Sequence, residues 1–305
     1  MHAVLHLRRS PGRVASLLVL VLPLLLAGCQ ASNAKDRGWT VRDPLWSPLP
    51  QSTAQASAAE ARAVAIARAL GIQGTPSAPT RERDMLRGVD YDRVEFLAPS
   101  GDTTVMELNP ETHAPIAIVR LGPPRADGPA TVTAATAPAR ARAIAALLGL
   151  TLPQASPSVR WQPGLEAWEI TWGREIDGHP APGEGTVIDV SASGEFQSVT
   201  VTGTPAAPAP ESPVPPARAA EVARAFAVQR QIAGRPGFSQ SEPELIWVRP
   251  NNFLDPSLSD APEPLLRLAY AVTFRYEAMA GDEPHQVVLW ISAADGALLG
   301  GAETA

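Results

Sequence analysis

The 305-residue sequence has few of the residues that most often carry chemistry: 1 Cys, 5 His and a single Lys, Lys35. The lone thiol of Cys29 cannot form an internal disulfide, and a P-loop would need a lysine directly after its glycines. The sequence also contains no Gly-x-Ser-x-Gly and no His-Glu-x-x-His. We therefore expect no enzymatic activity, no catalytic residues and no cofactor.

The histidines do not form a metal-binding pattern. A zinc site needs three or four converging ligands, whereas His113, His179 and His285 lie in separate parts of the sequence. The densest group of ionisable residues is Gly173–Gly185, GREIDGHPAPGEG, whose Asp-Gly and prolines are typical of a hairpin turn. We interpret it as an exposed loop that includes His179 and has solvated charges. The alternatives are partner contact and a metal site or catalysis. The net charge of -6 argues against nucleic acid as a partner.

The N-terminal segment is arranged like a secretion signal, with basic residues followed by an apolar run. Three arginines precede an apolar run, Val14–Leu26, which is too short to span a bilayer comfortably. The run ends in LAGC at residues 26–29, which resembles the lipobox of bacterial lipoproteins. The resemblance implies that residues 1–28 are a signal peptide and that Cys29 carries the lipid. It also implies a location at the cell membrane or outer membrane, facing the periplasm or the exterior. An ordinary secretory signal is the alternative.

Three similar segments recur at a constant spacing of 78 residues, starting at Arg62, Arg140 and Arg218. Each has the periodicity of an amphipathic helix, and Ser57 and Glu60 match a capping box at the start of the first. Strand patterns with polar turns follow each helix, which favours antiparallel pairing. The sequence therefore predicts an α+β fold of three repeated two-layer modules. Each module is a helix packed on an antiparallel sheet of three or four strands.

The predicted modules occupy residues 55–121, 136–203 and 215–305. Residues 29–54 are expected to be a tether to the membrane. The alternating proline and alanine of Pro205–Pro216 indicate a stiff spacer before the third module.

One turn recurs in all three predicted modules, in VMELNPETHAPI, VIDVSASGEF and VLWISAADGALL. Gly194 and Gly296 end this turn in the second and third modules and supply a positive φ angle without strain. His113 occupies the corresponding place in the first, and His is among the few other residues tolerated there. We therefore interpret His113 as a turn residue rather than a ligand.

The second and third predicted modules carry a family resemblance. The segment IDGHPAPGEGTVIDVSASGEFQSV is similar to the FTP hairpin pattern, and LAYAVTFRYEAM with VVLWISAADGALLGG is similar to the PepSY ending. Ser292 stands where the PepSY pattern has aspartate. The resemblance implies a propeptide-type module without catalytic activity. Such a module binds, inhibits or helps to fold a peptidase, or otherwise acts in the bacterial envelope.

Four aromatic residues are candidates for partner contact: Trp168, Trp172, Trp247 and Phe253. Trp168 and Trp172 share one face of an unbroken strand, and core packing is the alternative for them. Phe253 belongs to a long acidic insertion, residues 239–266, for which disorder is the alternative. We expect a membrane-anchored protein that binds an envelope protein, such as a peptidase. The alternative is a peptide, glycan or lipid ligand in a groove between repeats.

Overall fold

The computed structural model describes most of the chain from residue 48 onward and places its residues up to 303 in one compact unit. Cys29 and the predicted signal peptide lie outside the described residues, as do residues 255–264 of the insertion. Within the described part, no helix is both long enough and apolar enough to cross a bilayer. The described residues are 48–49, 51–84, 88–122, 130–254, 265–277 and 285–304.

The described part of the chain forms three α-helices: α1 (Thr53–Leu70), α2 (Ala137–Leu148) and α3 (Pro216–Gln229). They coincide with the three recurring segments of the sequence. The first two end at glycines in the left-handed conformation, Gly71 with φ 68° and Gly149 with φ 72°. A glycine adopts this conformation without the steric penalty of a Cβ, so it ends a helix readily.

Helix α1 begins earlier than predicted. Its N-cap is Ser52, whose hydroxyl accepts a hydrogen bond from the Gln55 backbone N–H at 3.3 Å. The Gln55 side chain accepts one from the Ser52 backbone N–H at 3.2 Å, which completes a capping box. The capping box predicted at Ser57 and Glu60 is wrong because Ser57 already lies inside the helix, where its hydroxyl donates to the Thr53 carbonyl at 3.0 Å.

A ten-stranded antiparallel sheet contains the strands of the first two predicted modules. It also contains two residues of the predicted tether, Pro48 and Leu49, which pair with Glu82 and Arg81. Its strands are β1 (Pro48–Leu49), β2 (Thr75–Pro76), β3 (Thr80–Asp84), β4 (Val89–Leu97), β5 (Thr103–Leu108), β6 (Pro115–Leu121), β7 (Ser158–Gln162), β8 (Ala167–Ile176), β9 (His179–Ser191) and β10 (Phe196–Thr202). Their order is β1-β3-β4-β5-β6-β10-β9-β8-β7, with β2 paired to β4.

A five-stranded antiparallel sheet follows in the third predicted module. Its strands are β11 (Ser239–Gln240), β12 (Glu244–Val248), β13 (Arg267–Tyr276), β14 (His285–Ser292) and β15 (Leu298–Thr304). The order is β11-β13-β14-β15, and β12 pairs with another part of β13.

These two sheets confirm the α+β class with antiparallel strands but not three separate sheets. The last strand of the first predicted module, β6, pairs with the last strand of the second, β10. The first two predicted modules therefore share one continuous sheet. The pairs that join them are Ala117–Thr200, Ile118–Val199 and Val119–Ser198.

Each sheet packs one face against helices. The first core lies between the ten-stranded sheet and helices α1 and α2, and the second lies between the five-stranded sheet and α3. The first core includes Ile66, Met106, Ile118, Ile144, Trp172 and Ile188. The second includes Ala223, Trp247, Val272, Phe274, Leu289 and Ile291. Alanines on the helix faces allow the close helix-to-sheet approach that such two-layer packing needs.

The predicted spacer Pro205–Pro216 is bonded to the third module near both of its ends. The Leu266 N–H donates to the Pro205 carbonyl at 2.8 Å. Further along, the Val214 N–H donates to the Ala293 carbonyl at 2.8 Å, and the Val214 carbonyl accepts from the Tyr270 hydroxyl at 2.9 Å. These bonds attach the proline-rich segment to the five-stranded sheet.

Candidate functional site

The acidic stretch Gly173–Gly185 forms the outer part of the β8–β9 hairpin, which we call the hairpin arm. Asp177 and Gly178 form its tip with φ angles of 52° and 77°, as the Asp-Gly signal predicts. His179, expected in an exposed loop, instead begins β9 and is half-buried. The structure describes no group of three or more His, Cys, Asp or Glu residues placed to hold a metal ion.

Glu184 on the hairpin arm is buried, with 5% of its side chain exposed. Its Oε2 accepts a hydrogen bond from the Thr204 N–H at 2.7 Å. The Arg174 Nη1 lies 3.9 Å from Oε2, and the Arg249 Nη2 lies 3.9 Å from Oε1. The Arg174 Nη1 also donates to the Thr204 carbonyl at 2.6 Å, and Arg249 donates to the Thr204 hydroxyl. A buried carboxylate needs such compensation, so the interpretation of Glu184 as solvated is wrong.

The hairpin arm also packs its apolar residues against the third module. Ala181 belongs to the second core, and Ile176 packs against it. The Trp247 indole N–H donates to the Ile176 carbonyl at 3.0 Å. By contrast, Glu175 and Asp177 of the same arm are exposed, as predicted. The arm is therefore a structural contact between the two sheets, with the solvated part of its charge at the tip.

Two of the four candidate contact residues belong to the cores. Trp172 is 2% exposed and Trp247 is 1% exposed, so a partner at the surface cannot reach them. This corrects the expectation of partner contact for both side chains. Trp168 shares one face of β8 with Trp172, as predicted, and the structure shows that this face is the one packed against the helices. Trp168 is half-buried, with its indole N–H donating to the Val132 carbonyl at 3.1 Å and its ring 5.1 Å from that of Trp161.

Phe253 is the one candidate that is strongly exposed, at 58%. Residues on either side of it in the chain, Asn251 and Leu254, are held in place. The Asn251 Nδ2 donates to the Gly301 carbonyl at 3.0 Å, and the Asn251 Oδ1 accepts from the Gly301 N–H at 3.1 Å. Leu254 packs against the second core, and its carbonyl accepts from Arg230 at 3.1 Å. Phe253 is therefore presented outward by a segment that is fixed on either side.

Two glycines on β15 make room for this segment. A Cβ on Gly300 would overlap Asn251, and one on Gly301 would overlap Leu254. Gly300 also has a φ of 129°, a conformation that L side chains rarely adopt. The sequence assigns these glycines to the PepSY-like ending, whereas their role in making room for the insertion is evident only from the tertiary structure.

A pocket of about 220 Å³ lies where α1 ends, beside α2 and the turn between β9 and β10. We call it the helix-end pocket. Sequence reasoning missed it, because its residues come from four separate segments of the chain. It is lined by Ala69, Leu70, Gly71, Arg120, Arg140, Ile144, Leu147, Glu195 and Phe196.

Two arginines give the helix-end pocket its positive charge. The Arg120 Nη1 donates to the Phe196 carbonyl at 3.1 Å and lies 3.8 Å from Glu195 Oε2. The Arg140 Nε donates to the Gly194 carbonyl at 2.6 Å. Each guanidinium has five N–H donors and makes a single hydrogen bond to the described residues. Donor groups therefore remain for a ligand on both side chains.

Asp189 is a buried carboxyl on the sheet face opposite the helices. Cross-strand pairing aligns it with Glu169 on β8 and Ser198 on β10, and Glu169 with Arg160 on β7. Burial raises the pKa of Asp189 to about 6, and Glu169 adds to the rise. A hydrogen bond from the Ser198 hydroxyl and the charge of Arg160 oppose it. The Asp189 Oδ1 has no hydrogen-bond partner among the described residues.

We expect this carboxyl to make stability depend on pH. The pKa of Asp189 is raised above its unfolded value of 3.8 to about 6. Between these pH values the folded chain retains a proton that the unfolded chain releases, so stability falls as pH rises through this window. Asp189→Asn removes the effect. Its free energy of unfolding relative to the wild type should therefore increase by about 2 kcal/mol between pH 4 and pH 7.5.

Urea denaturation of both proteins at each pH measures this difference. Ser198→Ala supplies a second comparison, because its hydroxyl stabilises the charged form of Asp189. Without this hydroxyl the pKa of Asp189 should rise further, so the free energy of unfolding should keep falling up to a higher pH. Parallel pH curves for the wild type and Asp189→Asn would contradict the prediction.

His113 adopts a φ of 54°, as the turn comparison predicts, with Gly194 at 89° and Gly296 at 78°. Its neighbours in the turn bond to one another: the Asn109 side chain accepts from the backbone N–H groups of Glu111 and Thr112, both at 2.9 Å. These bonds support the interpretation of His113 as a turn residue.

Comparison with solved structures finds low overall similarity. The chain is similar to the YpeB C-terminal domain of Bacillus megaterium at 11% identity and a TM-score of 0.43, covering 81% of this chain and 97% of that chain. It is also similar to a protein from Eubacterium rectale ATCC 33656 at 8% identity and a TM-score of 0.39, covering 78% and 80%. No family model and no curated protein sequence matches the chain.

Proposed function

We propose that this chain is a non-catalytic, lipid-anchored protein of the bacterial envelope that binds a protein partner, with peptidases as the first class to test. The lipobox-like sequence at residues 26–29 supports an anchor on Cys29 and a location at the cell membrane or outer membrane. The PepSY- and FTP-like sequences support the partner class. In this proposal the three helix-and-strand segments are repeats of one module, and the first two repeats share a sheet.

The observation that carries this proposal is the fixed, outward presentation of Phe253. Exposed aromatic side chains are common energetic anchors of protein interfaces. An anchor that is already held in place loses less conformational entropy on binding than a mobile one. The bonds of Asn251 to Gly301 and the packing of Leu254 supply that fixation.

Phe253→Ala is expected to weaken the partner complex by tenfold or more, because hot-spot aromatics contribute about 2 kcal/mol or more. The substitution should leave stability unchanged, because the side chain is exposed. Partners are recovered from envelope extracts with the tagged full chain, identified by mass spectrometry, and measured by biolayer interferometry with the purified proteins.

Val228→Ala is the matched control. Val228 lies on α3 and is 60% exposed, close to the value for Phe253. It should bind the partner as the wild type does. Failure to recover a reproducible protein partner would refute the proposal, and so would equal affinities for the wild type and Phe253→Ala.

The second candidate function is binding of a small ligand between the first two repeats. The helix-end pocket favours it, because Leu70 of α1 and Arg140 of α2 line the same cavity. Ligand binding to the folded state would raise the melting temperature by mass action. A screen of amino acids, peptides, glycans and lipids that produces no thermal shift would count against this candidate.

A further inference from the structure

We infer that the helix-end pocket binds a free α-amino acid with an apolar side chain. The inference deepens the second candidate function and rests on it, while it is independent of a protein partner at Phe253. Three chemically different parts of the pocket match the three parts of such a molecule.

The guanidiniums of Arg120 and Arg140 match the carboxylate. Guanidinium N–H groups form strong, charge-assisted hydrogen bonds with carboxylates. Arg140 bonds only the Gly194 carbonyl among the described residues, so its charge has no bonded carboxylate there. Arg120 forms an ion pair with Glu195 at 3.8 Å, which is too long for a hydrogen bond between the two side chains. A ligand carboxylate would therefore add hydrogen bonds to both arginines and a paired charge for Arg140.

The negative charge in the pocket, from Glu195 and the C-terminal end of α1, matches an ammonium group. Leu70 and Gly71 bring the C-terminal end of α1 to the cavity. A helix C-terminus carries a partial negative charge and carbonyl groups without helical partners. Glu195 adds a full negative charge and is 42% exposed, so a ligand can reach it. An ammonium group satisfies both features.

The remaining lining matches an apolar side chain of modest size. Ile144 and Phe196 are buried at 1% and 4% exposure, whereas Leu147 is 52% exposed. Leu147 therefore supplies the accessible apolar contact, whereas Ile144 and Phe196 are almost completely covered by their neighbours. The volume of about 220 Å³ equals roughly seven waters at about 30 Å³ each. This space suits a free amino acid better than a longer peptide.

The test is isothermal titration of the full chain in detergent with four probes. L-leucine carries both charges, N-acetyl-L-leucine lacks the ammonium group, L-leucinamide lacks the carboxylate, and leucyl-leucine is a dipeptide. We expect L-leucine to bind at least tenfold more tightly than either singly charged probe. Binding of the dipeptide as tight as that of L-leucine would overturn the assignment to a free amino acid. No binding of L-leucine at about 10 mM would overturn the site itself.

Three variants locate the binding in this pocket. Arg140→Gln should weaken L-leucine tenfold or more, since it removes a charged donor. Glu195→Gln should weaken L-leucine about threefold to tenfold but leave N-acetyl-L-leucine unaffected, because only the ammonium group uses Glu195. Arg68→Gln is the control, because Arg68 is exposed in the last turn of α1 and does not line the pocket.

Comparing L-leucine with N-acetyl-L-leucine on Glu195→Gln distinguishes a lost contact from a distorted fold. A variant that merely distorted the turn would weaken both probes equally, and this outcome would contradict the inference. Loss of partner binding in Phe253→Ala with L-leucine binding intact would separate the pocket from the protein-binding proposal. Absence of L-leucine binding while partner binding remains would overturn only the pocket.

Discussion

Trp247→Ala is expected to lower the free energy of unfolding by about 3 to 5 kcal/mol. The indole is 1% exposed and lies in the second core, where it meets the hairpin arm. Alanine would leave a cavity between the arm and the five-stranded sheet. It would also remove the donor of the 3.0 Å hydrogen bond to the Ile176 carbonyl. Urea denaturation followed by circular dichroism measures the loss.

Trp247→Phe separates the two contributions. Phenylalanine keeps most of the apolar volume but has no N–H group to donate. The free energy of unfolding of this variant should therefore fall by only about 1 to 2 kcal/mol. This smaller decrease reflects the Ile176 carbonyl, which loses its hydrogen-bond donor. Equal losses for the two variants would contradict the prediction that packing dominates.

Glu184→Ala is expected to destabilise the folded chain by about 3 kcal/mol or more, because it breaks a buried ionic cluster by removing one partner. Its carboxylate compensates the charges of Arg174 and Arg249 and accepts the Thr204 N–H. Alanine removes that compensation while the arginines remain partly buried, with 33% and 23% of their side chains exposed. Differential scanning calorimetry and urea denaturation measure the change.

Two further variants test this explanation. Glu184→Gln retains an acceptor for the Thr204 N–H, so it should lose less stability than alanine does. Glu175→Gln changes an exposed carboxylate on the same hairpin arm and should alter stability by less than about 0.5 kcal/mol. If Glu184→Ala were no less stable than Glu175→Gln, the cluster would contribute nothing to stability and the prediction would be wrong.

Helix ends and tight turns could be predicted from the sequence, because each depends on the conformation of one or two residues. Gly71 and Gly149 mark helix ends because the left-handed conformation is a property of single residues. Asp177 and Gly178 mark the hairpin tip, and His113 marks a positive φ angle, for the same reason. The antiparallel class follows from alternation and short polar turns.

Pairing between distant segments could not be predicted in this way. The junction of β6 with β10 depends on matching two edges that lie about 80 residues apart in the sequence, and neither edge carries a local signal for the other. The shared face of Trp168 and Trp172 followed from strand periodicity. Which face the helices cover did not, and this coverage determines that Trp172 is core.

The candidate site shows the same division. Glu184 lies in a polar, proline-bearing stretch that suggests solvent exposure, but Arg174 of the same stretch and the distant Arg249 compensate its charge. The helix-end pocket combines Arg120 and Arg140 with Glu195 only after the first two predicted modules join. The insertion in the sequence indicates Phe253 as a contact residue, whereas the bonds of Asn251 to Gly301 that fix the segment are evident only from the tertiary structure.

The β6–β10 junction gives the ten-stranded sheet an internal symmetry. Counting outward from the junction, the strands descend in chain order on both sides, from β6 to β3 and from β10 to β7. This is the arrangement of an isologous dimer, in which the same edge of two subunits pairs about a two-fold axis. Here one polypeptide supplies both halves. An edge that would otherwise be open to pairing with another molecule is therefore closed within the chain, which removes one route to aggregation.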